Sequence, residues 1–564
     1  MALASYFRGE IWGGVFRTRN WIAIGFGVAA ISLGLWGFST CTATDCKTHS
    51  FGEKLFRTID LIRLSSHYSP DHDPWALVIA QFMMPLALVF GAVRLFVVNM
   101  RRDLKVVMVR RMRGHMIVCG LGDTGLNIAQ QLAHAGYKVV AISLDNQDAN
   151  ALACERRGIV VLRGDAMEQA LLYVAGVRRA ACLFITCGSD AVNIEIGLRA
   201  NAVKASRGTQ GPLNVWIELR YDWLYGAILR HRSPLALNGT AQIRLFNLHT
   251  NAARLLVSSA GFRKVADQTQ VSSHMLALGH GPALNEVVAQ AAQGPFAMPG
   301  RNLSVTILSE KAQTVQDAMT AKYPGLSEVT DLSLEDVSFD DTGWPGIARI
   351  VSVASPALAV VDLVDEVDTM RVALRLRGLL DDAGLLDTPV FTRVWRQGRL
   401  GEFLHGLEWL PDQPDRLSTF GDLETLTRPD QLLEETIDLR AIAAHEAYRQ
   451  GSGDNATPEW AGLSEQAKQS NRDFADHIST KLAEIPLSNP PKDDEIERLA
   501  KSEHWRWMQS LKLRGWRYGP RDEVRKLHPL ITDWADLEER ARETNREMVR
   551  RIPAIIALSP DRDG

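Results

Sequence analysis

Gly120, Gly122 and Gly125, with Asp123 and Thr124 between the last two, form a G-x-G-x-x-G turn. Such a turn can hold a pyrophosphate, because the first glycine permits a tight bend, the second lets phosphate approach the backbone, and the third lets a helix pack close on a strand. Asp145 follows Gly125 by 20 residues, where a carboxylate can hydrogen-bond ribose hydroxyls. The alternative is a purely structural turn. A second concentration of usable chemistry lies near the C-terminus, where Trp505, Trp507, Trp516 and Tyr518 offer aromatic faces and Arg506, Arg517, Arg521, Arg525 and Lys526 offer charge. That mixture can stack a base and hold phosphates, or it can place tryptophans in a core and arginines on a solvated face. Catalytic and metal patterns are absent: there is no HExxH, no CxxC pair and no G-x-x-x-x-G-K-[ST], and no Ser/His/Asp spacing stands out. No enzyme and no bound metal are expected.

The elements around the glycine turn are in the order that nucleotide binding needs. His115 to Cys119 is a short apolar strand, Gly125, Ile128, Ala129 and Leu132 make the buried stripe of a helix, and Val139 to Leu144 is the next strand. Further alternations follow, at Ile159 to Leu162, Ala181 to Thr186 and Val215 to Leu219, so a parallel α/β sheet is expected. Over about residues 114–235 this stretch resembles the RCK or TrkA-N family, the cytoplasmic regulatory domains of potassium channels and transporters. The marks carrying the resemblance are a GD after the third strand, Gly164 and Asp165, and a D-x-x-N after the fourth, Asp190 and Asn193. It implies a Rossmann-like fold, NAD(H) or another adenine nucleotide as ligand, Asp165 among the binding residues, and control of a membrane pore.

Residues 270–415 repeat the order strand, glycine turn, helix, strand, acid in a degraded copy. Leu284 occupies the third glycine position and Pro282 sits in the turn, so a mostly structural RCK-like lobe is expected. Ala348 to Val353 and Val390 to Val394 read as its later strands, and residues 236–269 as a connector between the lobes.

Before the first lobe, Trp21 to Phe38 carries no charge across 18 residues, and Trp75 to Val98 carries only Arg94. Both read as membrane-spanning helices, the alternative for the first being a cleaved signal peptide. Arg8, Arg17 and Arg19 precede the first helix within the cytoplasmic N-terminus 1–20, and six basic residues fill the linker 99–113, so both termini are expected in the cytoplasm of a bacterial inner membrane. The loop 39–74 then lies outside, where Cys41 and Cys46 could pair in a disulfide. Within it, Leu55, Ile59 and Ile62 have amphipathic helical spacing. Helix, short helix, then helix with Pro85 and Gly91 resembles the layout of two-helix cation channels, in which four copies surround a pore. Arg57, Asp60 and Arg63 could face that pore or solvent. No glycine stands between Glu53 and Phe90, so a potassium-type carbonyl filter is not supported.

The C-terminal region, 435–557, is helical in pattern and duplicated. Trp460 onward and Trp534 onward align over 19 residues without a gap, with identities including Trp460/Trp534, Asn471/Asn545 and Arg472/Arg546, and AHEAY at 444–448 is the counterpart of EHWRW at 503–507. The second copy resembles the RyR repeat of ryanodine receptors through its H-x-x-W, its G-W-x-Y-G at Gly515 to Gly519 and its K-L-H-P-L-I at Lys526 to Ile531. The resemblance adds His504 and His528 to Trp505, Trp516, Arg517, Tyr518, Arg521 and Lys526 as candidate ligand residues. It implies a small nucleotide as ligand, of cyclic or ADP-ribose type among others, and a place in antiviral defence.

A chain of 564 residues with 46% apolar and 23% charged residues has room for several domains and is neither disordered nor a disulfide scaffold. Its net charge of −3 gives no general basic surface, so nucleic acid is not an expected partner. The expected fold class is two transmembrane helices, then Rossmann-like RCK domains, then an all-α RyR domain. The expected function is a nucleotide-gated, homotetrameric ion channel in the lipid bilayer; the other reading is a membrane-anchored nucleotide sensor that signals to a protein partner.

Overall fold

The computed structural model describes residues 21–40, 50–63, 75–144, 149–205, 213–220, 241–268, 272–395, 416–433, 436–452, 458–463, 465–488 and 490–558. Cys41, Cys46 and Asp145 lie outside them.

The chain begins with α1 (Trp21–Thr40), α2 (Phe51–Asp60) and α3 (Trp75–Arg111). The expectation of two membrane spans is corrected here: among the described residues, no helix is long and apolar enough to cross a membrane. Part of the apolarity that suggested spans is used in packing helix on helix. Ala30, Phe38, Leu61, Leu77, Ala80 and Met84 form one buried cluster, and Trp36 meets Trp75 edge to face at 5.3 Å. Two glycines set the spacing, since a Cβ at Gly34 would lie 2.4 Å from Thr58 and one at Gly37 would lie 2.7 Å from Leu77. Arg57 pairs with Glu53 at 3.8 Å, Asp60 is half-buried, and Arg63 closes a 3-10 turn after α2. Pro85 and Gly91 lie inside α3, which runs on past the apolar stretch as one helix of 37 residues, about 55 Å long. Its last turns are a rigid arm rather than a loose linker: Val106 and Val109 are buried against the first sheet, and Lys105 Nζ is 2.7 Å from Glu155.

The first lobe alternates β1 (Met116–Cys119), α4 (Asp123–His134), β2 (Val139–Ser143), α5 (Ala149–Arg156), β3 (Val160–Arg163), α6 (Gln169–Val174), β4 (Cys182–Ile185), α7 (Asp190–Ala205), β5 (Leu213–Glu218) and β6 (Ala241–Phe246). All pairings are parallel and the strand order is β3-β2-β1-β4-β5-β6. Strands β1, β2 and β4 are buried on both faces, as a parallel sheet covered by helices must be. Helices α8 (Leu248–Ser258) and α9 (Ala260–Gln268) lead to the second lobe.

That lobe repeats the winding: β7 (Ser272–Leu278), α10 (Leu284–Gln293), β8 (Asn302–Ser309), α11 (Ala312–Lys322), α12 (Leu326–Val329), β9 (Asp331–Asp336), α13 (Trp344–Ala354), β10 (Leu358–Val361), α14 (Glu366–Asp382), β11 (Val390–Arg393) and β12 (Leu417–Phe420), in the order β12-β11-β10-β7-β8-β9. Its first strand again lies between its second and fourth. Ala348 to Val353, read from sequence as a strand, is helix α13. Pro345 starts that helix, and Trp344, Ile347 and Val351 bury one face at helical spacing, a signal the local run of apolar residues concealed. The strand needed there is β10. One core unites the lobes, with Phe184, Trp216 and Leu248 in the same cluster as Val287, Val305 and Phe391.

Helices α15 (Leu423–Leu426) and α16 (Pro429–Leu433) connect to the helical region, α17 (Leu439–Ser452), α18 (Glu465–Asp476), α19 (Ile478–Glu484), α20 (Asp493–Leu513), the short pair β13 (Arg517–Tyr518) and β14 (Leu527–His528), α21 (Glu539–Arg550) and α22 (Ile552–Leu558). Its two copies repeat their bonds as well as their residues. Arg472 lies 5.9 Å over the Trp460 ring and reaches Asp438 at 2.7 Å; Arg546 lies 5.9 Å over Trp534 and reaches Glu497 at 2.7 Å. His445 and His504 each bond a carbonyl two residues before that tryptophan, of Pro458 and Thr532, and Asn471 and Asn545 each donate to the carbonyl four residues back.

The helical region is docked on the lobes through buried charge. Arg254 of α8 pairs with Asp438 at 2.8 Å and Asp476 at 2.9 Å. Burial opposes ionisation of Asp438, but Arg472 and Arg254 outweigh it and hold its carboxyl down at about 2, from a usual 3.8. A depressed acid stabilises the fold above its unfolded value and loses that contribution as pH falls through its folded one, here about 2 kcal/mol between those limits. Unfolding followed against pH should show this loss in the wild-type chain and not in Asp438→Asn, which should already be the less stable protein at pH 7. Equal acid dependence in the two would remove Asp438 from the docking.

Candidate nucleotide site

At the carboxyl ends of β1 and β4, where the strand order reverses direction, the three glycines of the first lobe have different physical tasks. Gly120 has φ +86° and sits under β4, where a Cβ would be 2.7 Å from the Thr186 carbonyl oxygen. Gly125 lies against the turn itself, where a Cβ would be 1.9 Å from the Gly120 carbonyl oxygen. At Gly122 a Cβ would meet nothing within 4 Å. Gly122 also caps α4 without a side-chain bond, so the first N–H groups of that 12-residue helix face the open side of the turn. Asn150 of α5 donates to the Leu121 carbonyl at 2.8 Å and steadies the loop.

A polar network closes the far wall. Thr124, buried in the first turn of α4, donates to Glu218 at 3.1 Å, and Arg220 pairs with the same carboxylate at 3.4 Å. Burial raises the Glu218 pKa against the pull of Arg220. Asn193 accepts from the Cys187 N–H and donates to the Glu218 carbonyl, while Asp190 accepts from the Arg220 N–H. Burial, and then the charge of Asp165, push the Cys187 thiol up to about 11, so it stays protonated at neutral pH. Asp165 is exposed at the end of β3 and accepts the Met167 N–H at 2.8 Å; Asp123 is half-buried at the start of α4. Gly120, Gly122, Asp123, Thr124 and Gly125 are thus one continuous turn, with Asp165 at a neighbouring strand end. Sequence reading missed Glu218 and Arg220. The available signal was an acid closing an otherwise apolar strand, VWIELR.

The second lobe fills the equivalent space with its own carboxylate. Gly279 and Gly281 correspond to Gly120 and Gly122, and Asp362, directly after β10, corresponds to Thr186. A Cβ at Gly281 would lie 2.2 Å from the Asp362 carboxyl carbon. The carboxylate accepts the Ala283 N–H at 2.7 Å, just before α10, and lies 3.3 Å from Arg393. Arg393 in turn reaches His249 at 3.0 Å and stacks 4.6 Å over Trp395. Burial, with Arg393 beside it, lowers His249 well below the usual imidazole range, so the ring is neutral. Where the first lobe offers an open helix N-terminus, the second has an internal anion.

In the helical region, His504, Trp507, Trp516, His528 and Trp534 form one aromatic cluster: His504 to Trp507 is 5.8 Å, Trp507 to His528 is 5.1 Å, Trp516 to His528 is 6.2 Å and His504 to Trp534 is 5.9 Å. His504 is buried and bonds the Thr532 carbonyl, and Lys526 Nζ donates to the Arg514 carbonyl at 2.7 Å, so both support the fold locally. Trp505 is half-buried on α20; Arg517, Tyr518 and Arg521 are exposed, with Arg517 3.8 Å from Glu328 and Arg521 3.0 Å from Glu523. The structure therefore separates the sequence-selected residues into a packed histidine–tryptophan cluster and an exposed basic strand edge. Trp507 and Trp534 complete the cluster. The same segment is keyed into the second lobe, since a Cβ at Gly325 would lie 1.8 Å from the Lys512 carbonyl oxygen.

Comparison with known proteins agrees with the TrkA-N and RyR resemblances. Residues 116–209 match the TrkA-N domain family, and residues 481–558 match the RyR domain family. A curated uncharacterized protein of Methanothermus fervidus is 29% identical over 119 residues, which cover 21% of this chain and 18% of that protein. The chain thus spans less than a fifth of the length of that relative. Among solved structures, the GsuK structure bound to ADP is 14% identical with a TM-score of 0.40, covering 74% of this chain and 96% of that one. The GsuK channel bound to NAD is 13% identical with a TM-score of 0.39, covering 74% and 83%. The GsuK RCK domain is 12% identical with a TM-score of 0.37, covering 58% and 79%.

Proposed function

We propose that this chain is a nucleotide-responsive regulator whose first lobe binds NAD(H) or another adenine nucleotide at Gly120–Gly125. One contrast carries the reading: the Gly122 turn is open above an uncapped helix N-terminus, whereas its twin at Gly281 is filled by Asp362. In this reading the phosphates lie over Gly122 and the α4 N–H groups. Thr124 and Glu218 set the back wall, and Asp123 and Asp165 stand at the rim. The second lobe, already neutralised inside, serves as a stiff partner against which the first can move.

The response leaves through α3. Its last turns are packed on the first sheet and its first turns on α1, so a shift at β1 and β3 is carried to the N-terminal helices. Exposed apolar side chains there, among them Phe82, Leu86, Leu88 and Val89, supply a surface through which copies of the chain can associate. We read the output as control of ion flow by a homo-oligomer; the competing output is recruitment of a protein partner. Nucleotide-dependent ion flux in liposomes carrying the purified protein supports the first, and ligand binding without flux supports the second.

The binding site itself is tested by Gly122→Asp. The added carboxylate enters open space at a φ of −64°, so the fold should be kept, while NAD+ affinity measured by calorimetry should fall about a hundredfold through charge repulsion. A folded Gly122→Asp protein that binds NAD+ as well as the wild type would exclude this crevice.

A further inference from the structure

The helical region sits on the two lobes in different ways. Against the second lobe the fit is tight: a Cβ at Gly325 would lie 1.8 Å from the Lys512 carbonyl oxygen, the Gly325 N–H donates to the Leu513 carbonyl at 3.2 Å, and Ser502 reaches Met298 Sδ at 3.1 Å. Against the first lobe it is hollow. A cavity of about 40 Å³, room for a few water molecules, separates Trp216 and Arg244 of the first sheet from Gln431 on α16 and from Lys468 and Arg472 on α18. The helical region is therefore fixed to the second lobe, and the first lobe has room to shift against both.

Helix α4 reaches past this hollow. It begins at the glycine turn, and near its other end Gln131 donates to the Glu424 carbonyl at 2.6 Å and lies 3.5 Å from Thr427 Oγ1, at α15 and just after it. Leu126 and Ala133 of α4 pack against the core that holds Leu423, Leu426 and Leu432. The α15–α16 segment leads on to Asp438, the carboxylate that Arg254 and Arg472 hold. Twelve residues make α4 about 18 Å long, short enough for a displacement of one end to be carried to the other as in a rigid rod. One end lies at the phosphate place and the other at the root of the helical region. We propose that nucleotide occupancy at Gly120–Gly125 and the seating of the helical region on the first lobe are coupled through α4 and its Gln131 contact. The inference rests on nucleotide binding by the first lobe. Phosphates held by the first N–H groups of α4 fix the helix, and the contact with α15 then forms with less ordering still to be done. Such coupling is reciprocal, so a change that loosens the seating lowers nucleotide affinity at a site it does not touch.

The test uses the full chain, NAD+ as probe, calorimetry for affinity and hydrogen exchange read segment by segment. In the wild type, NAD+ should slow exchange in α4 and also in residues 423–433, which it does not touch. Gln131 is half-buried at the surface of α4, so Gln131→Ala should keep the fold. In that variant the slowing should persist in α4 and be lost from 423–433, and NAD+ should bind about threefold more weakly. Asp438→Asn should weaken NAD+ by a similar factor, and the double variant by no more than either alone, because both changes act on one connection. Slowing at 423–433 that survives in folded Gln131→Ala, slowing confined to α4 in the wild type, or additive losses of affinity would overturn the coupling. Failure of the first-lobe reading has a different signature: NAD+ that slows exchange nowhere in α4, or whose binding is insensitive to Gly122→Asp.

Discussion

Gly125→Ala is expected to destabilise the first lobe by about 3 kcal/mol, while Gly122→Ala, three residues away, is expected to leave stability unchanged or raise it by about 0.5 kcal/mol. The difference follows from what a methyl group meets. At Gly125 it would sit 1.9 Å from a backbone oxygen and 2.5 Å from Thr186 Oγ1, so either the turn or α4 must move. Thr186 bonds the carbonyls of Cys119 and Gly120 at 3.1 Å each, which ties the turn to β4 and removes the easiest route of relief. At Gly122 the methyl meets no atom and the backbone, at φ −64°, is one that any L-residue adopts. There the loss should appear in binding instead, because a nucleotide phosphate and the methyl compete for the same open space. Chemical denaturation and NAD+ calorimetry on the two variants should therefore give crossed results. A Gly122→Ala protein that binds NAD+ at full strength, or a Gly125→Ala protein as stable as the wild type, would break the assignment of these roles.

That division of labour was legible from spacing, because the glycine turn, its strand and its helix are local and each constrains the next within a few residues. The duplicated helical hairpin was legible for a similar reason: Trp460 and Trp534, or Arg472 and Arg546, keep the same bonds because they keep the same spacing. What stayed hidden depends on residues far apart in the chain. Glu218 meets Thr124 across 94 positions, and Asp362 meets the Ala283 N–H across 79, so an acid at the end of an apolar strand gives no sign of the partner it reaches. Apolar runs were ambiguous as well. Ala348 to Val353 is β-branched enough for a strand, yet Pro345 and the spacing of Trp344, Ile347 and Val351 make it a helix. Trp21 to Phe38 is apolar enough to suggest a span, yet hydropathy averages over the face that packs on α3 and the glycines that let it approach. Periodicity decides an element; only tertiary contact decides what that element is for.

Asp362→Ala should destabilise the second lobe by about 3 kcal/mol, and inorganic phosphate should restore part of the loss. The carboxylate is fully buried, accepts the Ala283 N–H and balances Arg393, so its removal leaves an uncompensated guanidinium and an unpaired helix N-terminus in the same pocket. Burial raises the Asp362 pKa against the pull of Arg393, which shows that the lobe holds this charge at some cost. An anion from solution can take the vacated place because the groups that bind it are the ones the turn of a nucleotide-binding lobe supplies. Thermal unfolding of the variant in phosphate, compared with chloride at matched ionic strength, measures this directly. Phosphate should raise its transition temperature by several degrees more than it raises that of the wild type, a difference of about 1 kcal/mol. Equal effects of phosphate and chloride would mean that Asp362 is an ordinary buried ion pair. Selective rescue would mean that the two lobes bind an anion at the same point of the same fold, one drawing it from solution and the other carrying it in its own sequence.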